Sequence, residues 1–101
     1  MIKHVALSKY KEFAEGCSKE ENMKKAKALT EGLLKKIPEI RKLEIGVNIL
    51  PEGEHSFDTA TCSEYENMDA VNRTLSHPAH VELVAFMGKV LEEGYAVTYE
   101  I

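Results

Sequence analysis

The chain of 101 residues is 44% hydrophobic and 30% charged, a balance that excludes a disordered or fibrous chain and leaves room for one domain, residues 1–101, around one core. Area scalings give roughly 16,000 Å² for the unfolded chain and roughly 5,700 Å² for a compact monomer, so folding can bury about two-thirds of the surface without staples such as disulfides. The net charge is −4, from 13 Lys and Arg against 17 Asp and Glu, and no basic run is interleaved with aromatics, which argues against nucleic acid as a partner.

Residues 1–9 read as a strand. They lack both a long apolar region and a small-residue cleavage site, so no signal peptide is expected and the cytoplasm is the expected location. No stretch approaches the roughly 20 apolar residues that cross a bilayer, so no membrane partner is expected. In residues 2–10, Val5 and Leu7 share one face while Ile2, His4 and Ala6 share the other, so both faces carry apolar side chains. A connection through Gly16 leads to Ser18, with Glu21 three residues on, the signature of a capping box at a helix start. Met23, Ala26, Leu29, Leu33 and Ile37 recur at helical spacing behind it, Pro38 stops the helix, and its Lys-rich face is directed to water. Gly32 inside this helix costs roughly 1 kcal/mol relative to Ala, which a close approach of helix to sheet would explain.

From Arg41 to Ile49 alternation is strict, with Leu43, Ile45, Val47 and Ile49 on one face. Residues 51–55 form a turn in which His55 is expected to be solvated, and Phe57 to Tyr65 form the next strand. Asn67 caps a short helix through Leu75, and Pro78 starts another that runs through Leu91 and ends at Gly94. Tyr95, Val97, Tyr99 and Ile101 then alternate as a final strand. Cys17 and Cys62 stand alone and are expected to be structural thiols; Met23, Met68 and Met87 are expected to fill core gaps.

The order of strand, helix, strand, strand, helix pair, strand predicts an α+β, ferredoxin-like βαββαβ chain with a four-stranded antiparallel sheet and helices on one face. Helices cover only one side, so apolar rows on the other call for a second cover. A second copy of the sheet supplies it, making the chain a homodimer through the open sheet face.

The most specific local feature is His77-Pro78-Ala79-His80 at a helix start. His80 shares a side with Val84 and Met87, which must face the sheet, where His4 lies with Ile2 and Ala6. Both imidazoles are therefore expected to look into one cavity. The helix N-terminus and burial both disfavour an imidazolium at His80, so its ring is expected to be neutral and competent as a general base or hydrogen-bond donor. The same residues also admit a structural reading, in which His77 caps the helix, His80 bonds a backbone carbonyl and His4 satisfies a polar need of the core. The spacing identifies no third ligand for a metal, and no cofactor-binding motif is present.

The opening Met1-Ile2-Lys3-His4-Val5-Ala6-Leu7, the helix exit Ile37-Pro38-Glu39-Ile40, the pair Phe57-Asp58 before the third strand and His77-Pro78-Ala79-His80 together resemble the stress-responsive A/B barrel domain, or Dabb, family along essentially the whole chain. The resemblance implies ferredoxin-like chains that pair as dimeric α+β barrels. Among characterised members, the olivetolic acid cyclase type performs an aldol-type ring closure with a His at the position matching His80 and a Tyr three residues before the motif. Here Thr74 stands at that earlier position, which removes a phenol able to polarise a carbonyl. The antibiotic-biosynthesis monooxygenase group shares the barrel without the motif. The expected function is therefore a homodimeric domain that binds a small apolar or carbonyl-containing ligand without a cofactor. His80 and His4 are its candidate catalytic groups, and Thr74 and His77 its candidate ligand contacts. The alternatives are a cofactor-free lyase or cyclase with His80 as base, and a purely structural dimer.

Overall fold

The computed structural model describes residues 1–50, 53 and 56–101; the predicted turn with His55 lies outside them apart from Gly53. Strand β1 (Ile2–Tyr10) leads into two short strands, β2 (Phe13–Ala14) and β3 (Cys17–Ser18), and then helix α1 (Lys19–Lys36). Strands β4 (Ile40–Val47) and β5 (Thr59–Tyr65) follow, then α2 (Met68–Ser76), α3 (Pro78–Val90) and β6 (Leu91–Glu100). The main sheet is antiparallel in the order β4-β5-β1-β6, the predicted ferredoxin-like arrangement.

Local chemistry sets the helix starts. Glu21 N–H donates to Ser18 Oγ at 3.3 Å and Ser18 N–H donates back to the Glu21 carboxylate at 3.3 Å, which satisfies two otherwise orphaned donors. Ala70 N–H donates to Asn67 Oδ1 at 2.9 Å at the start of α2. Four details depart from expectation. Residues 11–17 are not a plain connection but a hairpin turning at Glu15 and Gly16, both at positive φ as a tight primed turn requires; Asn22 pins it to α1 by donating to the Ala14 carbonyl at 3.0 Å. The last helix ends at Val90, and Gly94 lies inside β6 opposite Ser8. No atom from outside its own stretch of helix lies within 4 Å of where a Gly32 Cβ would sit, so no close helix approach explains that residue. Met23 and Met87 do pack against buried core, but Met68 is 48% exposed.

The strand register assigns the faces. Ile2, His4, Ala6 and Ser8 look toward the helices with Tyr65, Ser63, Thr61 and Thr59 of β5 and with Leu43 and Ile45 of β4. The outer face carries Val5 and Leu7 of β1 beside Val97 and Tyr95 of β6, but Lys42, Glu44 and Gly46 on β4. Leu43 and Ile45 of β4 thus face inward, whereas Val47 at its end is 46% exposed and Ile49, expected in the same strand, lies beyond it and is 96% exposed; on the outer sheet face the large exposed apolar side chains are Leu7 of β1 and Tyr95, Val97 and Tyr99 of β6. There the Phe57 ring meets Tyr95 edge-on at 5.8 Å.

Candidate functional site

Two buried clusters sit at opposite ends of β1. Ile2 packs with Leu33, Ile37, Ile40, Tyr65 and Val71, while Tyr10 packs with Ala26 and Val90. Between them the inward residues of β1 are His4, Ala6 and Ser8, facing Ser63 and Thr61 on one neighbour and Thr98, Ala96 and Gly94 on the other. Small and hydroxyl side chains in this middle stretch cannot reach the helices as Ile2 and Tyr10 do. A cavity of about 280 Å³ results, roofed by Thr30 of α1 and by His80, Leu83, Val84 and Met87 of α3.

His4 and His80 both line it. His4 Nδ1 lies 2.7 Å from Thr98 Oγ1, which holds the ring in place. Burial pushes the His4 imidazole below its ordinary value; burial, and then the nearby His4, do the same to His80. Two neutral rings at physiological pH follow, each able to donate from one nitrogen and accept at the other. The His80 ring makes no hydrogen bond among the described residues and so keeps both nitrogens available.

The other two sequence candidates lie elsewhere. His77 caps α3, its Nδ1 accepting from Ala79 N–H at 3.1 Å, while its carbonyl accepts from His80 and Val81. Thr74 is buried, its hydroxyl donating to the Ala70 carbonyl at 2.9 Å, and neither residue lines the cavity. Sequence reasoning passed over Thr30, Thr61, Ser63 and Tyr65. The signal was present in the inward alternate positions of β1, Ile2, His4, Ala6, Ser8 and Tyr10, which run large, polar or small, large; those of β5 step from Tyr65 to the small hydroxyls Ser63, Thr61 and Thr59.

The description "Stress responsive A/B Barrel Domain" matches residues 2–101. Among solved structures, a dimeric ferredoxin-like protein of unknown function from Bacteroides fragilis is 32% identical, with 99% of this chain and 95% of that chain covered and a TM-score of 0.81. At3g17210 from Arabidopsis thaliana is 25% identical over 100% of this chain and 95% of its own, with a TM-score of 0.79. The hydroxynitrile lyase from Passiflora edulis shares the fold at 17% identity, with 99% and 92% covered and a TM-score of 0.84. Comparison with curated proteins returns no match. With its full sheet and helix order in place and the family's pattern matched from residue 2 to the last, the chain belongs to the stress-responsive A/B barrel domain family.

Proposed function

We propose that this chain is a homodimeric binding domain that takes up a small apolar or carbonyl-containing molecule in the cavity between sheet and α3, with His80 and His4 as its polar partners and an ancillary role under stress. The observation that carries the reading is the 280 Å³ space, apolar along α3 and furnished with a neutral imidazole whose nitrogens are free. Thr74 and His77 serve from behind: Thr74 bonds within α2, and His77 caps the helix whose first turn bears His80. Free thiols at Cys17 and Cys62 and the −4 charge agree with a cytoplasmic protein that takes no nucleic acid.

Self-association through the outer face of β1 and β6 completes the reading. The chain exposes 6501 Å², about 800 Å² more than the scaling for a compact monomer of its mass, as a surface that is not fully closed on itself would. Tyr95 and Val97, 64% and 55% exposed, lie on that face. Neighbours described as dimeric support it.

A second reading, favoured by the unengaged His80 ring, is a cofactor-free lyase or cyclase. His80 takes a proton from a carbon or oxygen acid and returns it to the product, while His4 orients the intermediate. A fold shared with a hydroxynitrile lyase is compatible with it. Titration with a panel of small ketones and aldehydes tests both readings. His80→Ala is expected to keep the dimer and weaken binding about tenfold, abolishing any turnover; unchanged binding and turnover would remove His80 from the site.

A further inference from the structure

Charged residues make up 30% of the chain, yet none of the described residues lining the cavity is Asp, Glu, Lys or Arg. Its polar groups are hydroxyls and imidazoles. The register sets Ser63 and Thr98 on either side of His4, with Thr61 one step along. Further along the strands the floor falls away to Ala6, Ala96 and Gly94, with the Ser8 hydroxyl beside Gly94. The cavity therefore offers hydroxyls and imidazoles beneath an apolar roof of Leu83, Val84 and Met87. Its mouth is marked by lining residues that remain exposed, Val84 on α3 at 56% and Gly94 to Ala96 on β6.

We infer that this cavity selects an uncharged molecule bearing a carbonyl oxygen on an apolar body of up to roughly ten to twelve carbon atoms, and rejects the matching carboxylate. The inference rests on the ligand-binding function proposed above and names the substrate class of that same site. Size follows from volume: a cavity of about 150 Å³ holds one benzene, and this one is near twice that. Charge follows from the lining. A ketone oxygen accepts from a hydroxyl or neutral imidazole and leaves little hydration behind, whereas a carboxylate must give up its water and meets no Lys or Arg in return.

A matched pair of probes tests it: 2-acetylnaphthalene and 2-naphthoate have nearly the same shape and differ in charge. The chain has no tryptophan, so the naphthyl fluorescence reports binding directly to the intact protein at about pH 7.5, above the ordinary imidazole range. The ketone is expected to bind at least about tenfold more tightly than the carboxylate. Ala96→Leu, at the exposed mouth, is expected to weaken the ketone about tenfold while the Tm of the free protein holds. Equal or tighter binding of 2-naphthoate that Ala96→Leu weakens would overturn the charge selection and leave the cavity function standing. Binding of neither probe, or binding indifferent to Ala96→Leu, would overturn both.

Discussion

Strands β4 and β6 are both sheet edges and both alternate, yet Ile40 and Ile45 of β4 are buried while every residue of β6 after Leu91 is exposed. The difference comes from what lies above them. Helix α1 packs on β4, and α2 packs on β4 and β5, whereas α3 leans on α1 and leaves the inner side of β6 open over the cavity. The outer sides differ too. β4 shows Lys42 and Glu44 to water, a charged edge that discourages pairing, while β6 shows Tyr95, Val97 and Tyr99. One half of the sheet is completed by its own chain. At the other edge β6 is bare on both faces, and the proposed function puts a ligand on one and a second copy on the other.

Placing a charge on the unfinished face should break this contrast most strongly. Val97→Asp is expected to weaken self-association by about 3–5 kcal/mol, more than about a hundredfold in Kd, because the carboxylate would be buried unpaired. Sedimentation at micromolar concentration should then move from twice the 11.3 kDa chain mass toward 11.3 kDa; a wild-type protein already at 11.3 kDa would remove the dimer. On the finished side, Ile45→Ala is expected to cost about 3 kcal/mol in denaturant unfolding whatever the protein concentration. A loss below about 1 kcal/mol would mean that β4 is no better covered than β6.

Smaller effects sharpen the comparison. Ser18→Ala removes the cap of the helix that covers β4 and should cost about 1 kcal/mol, read by the same unfolding curves. Acid acts on the open half instead. His4 and His80 both titrate below the ordinary value of 6.5 in the folded chain, so as pH falls through 6.5 the unfolded chain binds protons that the folded chain does not. Stability is complete above that point and declines below it, toward the folded values. The Tm should fall between about pH 7.5 and 5.5, and fall less in His80→Gln; identical slopes would place His80 in water.

Much of this was legible in the residues. Alternation and capping located seven of the nine described elements, because both act between residues at most four apart: Ser18 with Glu21, Asn67 with Ala70, Pro78 at a first turn. The sharing of one cavity by His4 and His80 was legible as well, since strand and helix periodicity give each a side. The hairpin at Glu15 was missed because a non-glycine residue at positive φ leaves little trace in a sequence. Thr30, Thr61 and Ser63 were missed because their meaning depends on what they fail to fill.

The chain by itself determined the order of strands and helices, their caps, and a first strand apolar on both faces, all of which follow from spacing along the backbone. Only the tertiary structure decided that β4 turns Leu43 and Ile45 inward, that Met68 is exposed, and that Thr74 bonds within its own helix rather than lining the cavity. Those outcomes are set by register and by where helices settle, which join residues dozens of positions apart. No local preference encodes the volume left between two packed clusters.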